Sequence, residues 1–147
     1  MQSEITWSTD EHGALIGARV HDGHLSEIEI ADNRPARIVI TRASGGRVEF
    51  KLHGVSRFGL LGFCNGSIVS DVLAWSLTAA PDDAWAMSDN TWRILFSNDL
   101  DDADLIAESR KLRASRSTDT LLQITFSYGG AMAFLCERLS VFDLEEK

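Results

Sequence analysis

Thiols, prolines and basic side chains are what this sequence is short of. Its 147 residues include two cysteines, two prolines and one tyrosine, and 14 Lys and Arg stand against 22 Asp and Glu. Cys64 and Cys136 lie far apart within apolar segments. Two such residues build no disulfide framework, so both are expected as reduced core residues. Long apolar runs are missing too, and nothing approaches the ~18 residues of a membrane helix. The opening "MQSEITWSTDEHG" has neither a basic start nor an apolar stretch, which points to a cytoplasmic chain with no secretory signal. The deficit of positive charge leaves a net charge of −8 and a pI near 4.9. Phosphates repel such a protein, so neither nucleic acid nor an anionic membrane is an expected partner. A basic protein is, unless the acidity serves only solubility.

Signatures of chemistry are equally scarce. There is no C-x-x-C, H-E-x-x-H or H-x₃₋₅-H metal spacing, no G-x-S-x-G and no glycine-rich phosphate loop. The expectation is a protein without metal, cofactor or catalytic residue. What is present is ordinary globular material, 44% hydrophobic and 24% charged. Its length suits a single domain over 1–147 with one sizeable core.

Period-2 alternation dominates. In "RVEFKLH" (47–53), Val48, Phe50 and Leu52 point one way, and Arg47, Glu49, Lys51 and His53 point to a wet face. "LLQITFSY" puts Leu122, Ile124, Phe126 and Tyr128 on one face, and "TWRILFS" does so with Trp92, Ile94 and Phe96. Turn signals separate these runs: "SGG" (44–46) after "ARIVITR", "NG" (65–66) between "RFGLLGFC" and "SIVSDVLAWSL", and "GG" (129–130) before the last strand. Each implies an adjacent antiparallel pair. With "ALIGARV" and "SEIEIA" the count is about nine strands, which predicts an all-β, mainly antiparallel fold, a β-sandwich or partly open barrel. The stretch "AAPDDAWAMSDN" (79–90) reads as a long loop. "DDADLIAESRKLRAS" has Asp at its start, Lys and Arg near its end and Leu105, Ile106 and Leu112 on one face, which predicts a short helix over about 101–113.

Three of the four histidines are close in sequence: His21 and His24 bracket Asp-Gly in "ARVHDGHLSE", and His12 lies nine residues upstream, which raises the question of a metal site. A two-residue Asp22-Gly23 loop would oppose His21 and His24, but it leaves the isoleucines of the two strands on different faces. A three-residue loop with Gly23 left-handed pairs Val20 with His24 and Ile16 with Ile28, which makes the better core. That register separates the histidines and marks a hairpin.

Other clusters resolve in the same way. "SNDLDDADLIAE" offers Asp99, Asp101 and Glu108 to an EF-hand-like loop, but Asp102 stands where the sharp turn needs Gly. A thiol nucleophile at Cys64 with His53 and Asp71 lacks any supporting signature. Asp71 alternates with Val69, Leu73, Trp75 and Leu77, which would bury its carboxylate as a polar site unless a bulge turns it outward; Glu137 poses the same question. Trp75 and Trp92 fall among aliphatic neighbours and read as core, whereas Trp7 and Trp85 lie in less regular segments. If exposed, these two would anchor an interface or a sugar platform.

The segments "FKLHGVSRFGLLGFCNGSIVSDVLAW" and "SYGGAMAFLCERLSV" resemble small bacterial β-rich proteins of unknown function, some of them immunity proteins of polymorphic toxin systems. The resemblance covers about 40 residues of strand patterning around Gly-Val and Asn-Gly turns. It implies an all-β interaction module and supplies no catalytic residue. The leading expectation is therefore a non-catalytic cytoplasmic protein-binding module, of immunity type, whose acidic loops meet a basic partner. Its candidate contacts are Trp7, Asp82, Asp83, Trp85, Asp99 and Asp101. The alternative is a β-sandwich that binds a small ligand or carbohydrate.

Overall fold

Where apolar residues recur at every second position the backbone extends and buries one face, and a computed structural model shows the result. It describes residues 2–62, 68–79, 91–96 and 100–144. In chain order the strands are β1 (Gln2–Ile5), β2 (Ser8–Thr9), β3 (Leu15–Ile16), β4 (His24–Glu29), β5 (Ala36–Thr41), β6 (Arg47–His53), β7 (Arg57–Leu61) and β8 (Val69–Ser76). After helices α1 (Thr91–Phe96) and α2 (Asp102–Ser115) come β9 (Thr120–Phe126), β10 (Ala131–Cys136) and β11 (Arg138–Leu144).

The strands form a five-stranded antiparallel sheet, β1-β11-β6-β5-β4, a four-stranded one, β7-β10-β9-β8, and the small β2-β3 hairpin. The two large sheets face each other without closing into a barrel. Their shared core holds Ile38, Phe50 and Val141 from the first sheet and Val72, Ile124 and Phe134 from the second. Burying each of these side chains contributes roughly 1.5–3 kcal/mol. β5 and β6 pair as their alternation requires, Ile38 with Phe50 and Ile40 with Val48. The expected "GG" hairpin joins β9 to β10, with Gly129 and Gly130 both at positive φ. Among the described residues no helix is long and apolar enough to cross a membrane.

The centre of the four-stranded sheet is buried on both sides. Every residue of β10 is covered: Met132, Phe134 and Cys136 face the first sheet, while Ala131, Ala133 and Leu135 join a second cluster with Trp92, Leu95 and Leu105 of the helices. A continuous apolar strand is the signature of that double burial. The helix expected at 101–113 is α2, opened by Asp101, whose carboxylate accepts the Asp104 N–H at 2.8 Å.

Several expectations need correction. "TWRILFS" is helical from Thr91 to Phe96, with Trp92 and Leu95 buried one turn apart; a segment this apolar satisfies either period. β7 and β8 lie at opposite edges of their sheet, so the Asn65-Gly66 turn, itself outside the described residues, does not join paired strands. Only Leu15 and Ile16 of "ALIGARV" are strand, and they pair with β2. Ile28 pairs with Ile38, not Ile16. In the intervening turn Asp22, at φ 62°, takes the left-handed position expected of Gly23. Gly23 is required for a different reason: a Cβ there would lie 2.7 Å from the Thr41 carbonyl oxygen.

Finally, the outer face of β6 is not uniformly wet. Glu49 is only 1% exposed, under the Arg37 side chain.

Candidate functional site

The residues singled out from the sequence are dispersed. Trp7 is half-buried against the main core and donates its indole N–H to the Leu139 carbonyl at 3.1 Å, so it braces β11 and does not stand free. Asp101 is committed to capping α2. Glu108, once a candidate calcium ligand, sits in that helix and pairs with Lys111 at 3.0 Å. Asp82, Asp83, Trp85 and Asp99 lie outside the described residues, as does Cys64.

Asp71 is exposed, not buried among core residues. A β-bulge between Val69 and Asp71 shifts the phase of β8, so that Val69, Val72 and Ala74 face the core and the Asp71 carboxylate turns out to accept the Ser70 hydroxyl at 2.9 Å. Glu137 is also exposed, at the corner where the chain crosses from β10 to β11; its N–H donates to the His53 carbonyl at 2.9 Å.

Of the histidines, His21 reaches the Ser70 carbonyl through Nδ1 at 2.7 Å, and His24, in β4, pairs with Thr41 of β5. His12 lies beside Glu11 at 3.3 Å. No three His, Cys, Asp or Glu side chains gather as a metal site among the described residues. Burial, the Arg138 guanidinium and Lys51 lower the pKa of His53 below 6.5. Cys136 is a buried free thiol pushed up to about 12 by burial, so its thiolate is not formed near neutral pH.

One constellation does assemble, and it was not expected. The turn from β2 to β3 runs through Asp10, Glu11, His12 and Gly13. Asp10 organises it by accepting the backbone N–H groups of His12 at 2.8 Å and Ala14 at 2.9 Å on the same oxygen, Oδ1. The Ala14 bond first, then that of His12, hold this carboxyl below its ordinary 3.8. Its Oδ2 has no partner among the described residues. The hairpin is laid against β8: Ala14 bridges to Leu73, and the Ala74 N–H donates to the Gly13 carbonyl at 2.8 Å.

Contact with β8 sets the turn beside Trp75. Gly13 rests on the indole edge so closely that a Cβ would lie 2.5 Å from Trp75 Nε1. Between them opens a groove of about 550 Å³ lined by Asp10, Glu11, His12, Trp75 and Ser76. Trp75 packs on the helix-side cluster, as its aliphatic neighbours suggested, yet stays half-exposed to the groove.

Such a groove offers an aromatic surface, two carboxylates and an imidazole. This set attracts a cation by charge and by the indole's electron-rich face. Among the described residues no hydrogen bond joins His12 to the groove's hydroxyls, and that of Ser76 meets Thr78 at 3.1 Å. Sequence reading missed the site because it needs Asp10 and Trp75 together. The only local sign was "TDEHG", an acidic turn closed by glycine. Compared with protein-family models, with curated proteins and with solved structures, the chain matches none.

Proposed function

We propose that the protein is a non-catalytic interaction module that binds a basic protein partner, with the groove beside Trp75 as the seat for an arginine or lysine side chain. The observation that carries this reading is the placement of Asp10 and Glu11 around a half-exposed indole. A guanidinium stacked on that ring would have a carboxylate within reach, and such contacts strengthen as water is excluded. The net charge of −8 supports it at longer range by drawing a basic surface in. An immunity-type role, in which the acidic protein neutralises a basic toxin domain, fits the same chemistry. The buried Cys136 thiol suits the reducing cytoplasm.

The test is an NMR titration with an oligo-arginine peptide, read at the Trp75 indole N–H and the amides of residues 10–14. The reading expects these resonances to move together, the response to weaken as salt is added, and Glu11→Lys to abolish it. Unmoved resonances at Trp75 would refute it. A second reading, carbohydrate binding, draws on the same indole and carboxylates, which can stack on a sugar ring and accept its hydroxyls. A neutral oligosaccharide that moved the same resonances regardless of salt, where the peptide did not, would transfer the groove to that reading.

A further inference from the structure

Sheet edges expose unpaired backbone groups, and proteins blunt them with charge, brevity or cover. Among the described residues, three of the four edges of the two large sheets are treated in this way. β1 is four residues long and carries Glu4. β4 carries Glu27 and Glu29 and is stitched through His24 to Ile68. β8 is covered by the β2-β3 hairpin. β7 differs. It pairs with β10 on one side and, among the described residues, has no strand on the other. Its sequence is RFGLL, without proline and without charge after Arg57, and Phe58, Leu60 and Leu61 are 44%, 47% and 46% exposed. A groove of about 480 Å³ runs along it, walled by Arg93 to Phe96 of α1.

We propose that this edge is a homodimer interface, in which β7 pairs antiparallel with β7 of a second copy about a two-fold axis through Gly59. The proposal stands apart from the basic-partner reading and uses none of its residues. Two-fold pairing at Gly59 sets Phe58 opposite Leu60 of the second copy and Arg57 opposite Leu61. Apolar side chains then meet across the strands, and no like charges face each other. The residue on the axis is a glycine and brings no side chain to the contact; its α1 side is occupied by the Ile94 carbonyl of its own chain.

The helices fit as well. α1 rests over both β7 and β10. A strand spacing of about 4.8 Å places the two α1 helices roughly 10 Å apart, an ordinary packing distance. Arg57 stacks 4.4 Å from the Phe96 ring centroid of its own chain, which holds its charge beside α1. A strand of another protein would also find open hydrogen bonds here. The match of Phe58 with Leu60 under two-fold rotation is what selects a second copy.

The three exposed side chains offer roughly 300 Å² per copy, well below the ~800 Å² per partner of a standard interface, so association is weak and concentration-dependent. Sedimentation velocity from about 10 µM to about 1 mM therefore reads it, with the weight-average coefficient rising toward that of a dimer. Leu60→Lys should weaken association at least tenfold. Register is read by cross-linking in a Cys64→Ser background. An equimolar mixture of Phe58→Cys and Leu60→Cys should oxidise to a disulfide dimer at least tenfold more than either alone, because position 60 lies about 8 Å from its own copy, beyond disulfide reach. A monomer at every concentration overturns the proposal, as does a dimer indifferent to Leu60→Lys. Equal cross-linking by each variant alone overturns the register, and this arm decides the matter if circular dichroism shows that Leu60→Lys does not fold.

Discussion

Glu49 shows at the scale of one residue how neighbours alter what alternation implies. Its position in β6 points outward, yet it is 1% exposed because Arg37 of β5 lies across it, Nε donating to Oε2 at 2.7 Å. Oε1 is buried without a hydrogen-bond partner among the described residues. The bond to Glu49 is the largest cause that raises the Arg37 pKa, ahead of its further contacts with Glu29 and Glu27. Arg37→Ala should therefore leave a buried carboxylate uncompensated and cost about 3 kcal/mol, nearer 2 if water replaces the third of Arg37 that is exposed. Urea denaturation measures the loss. Arg37→Met combined with Glu49→Leu should recover most of it, since removal of both charges removes the desolvation that one alone suffers. A double variant no more stable than Arg37→Ala would mean that the pair contributes by packing alone.

Among the elements, α1 depends on the absence of a single carbon. Gly59 of β7 has ordinary strand φ, so its importance is spatial: a Cβ there would overlap the Ile94 carbonyl. Gly59→Ala should push α1 off the sheet, loosen Trp92 and cost about 2–3 kcal/mol, the usual scale of overpacking. Loss of protection in α1 amides by hydrogen exchange, with β5 and β6 unaffected, would localise the effect; uniform loss would mean that α1 and the sandwich unfold as one.

The same helix shows where sequence reading ends. β6 was legible to the residue because one of its faces carries charge, and α2 because Asp101 and the Lys and Arg after it punctuate its ends. α1 was not, since a buried six-residue run such as TWRILF carries no polar face to reveal its period. Nothing local in the sequence announces the β8 bulge that turns Asp71 outward. The hairpin drawn through Ile16 and Ile28 failed for a related reason: β4 had a better partner in β5, and Ala18 and Val20 could fill the core from an irregular segment.

The whole molecule adds a term that no element contains, its net charge of −8. Salt screens it, with a Debye length of about 30 Å at 0.01 M and about 3 Å at 1 M. The two proposed associations should respond in opposite senses. Binding of oligo-arginine at the Asp10, Glu11 and Trp75 groove is an attraction between unlike charges, so its affinity should fall as salt rises. Pairing of two β7 edges brings together two acidic bodies through apolar side chains, so salt should relieve repulsion and tighten it. Calorimetry of the peptide complex and sedimentation of the free protein, each from about 0.05 to 0.5 M salt, measure both slopes on the same preparation. A dimer that weakens with salt would show that ion pairs hold it and would move the interface away from Phe58 and Leu60. Peptide affinity indifferent to salt would show that the Trp75 indole, and not the carboxylates beside it, makes the contact.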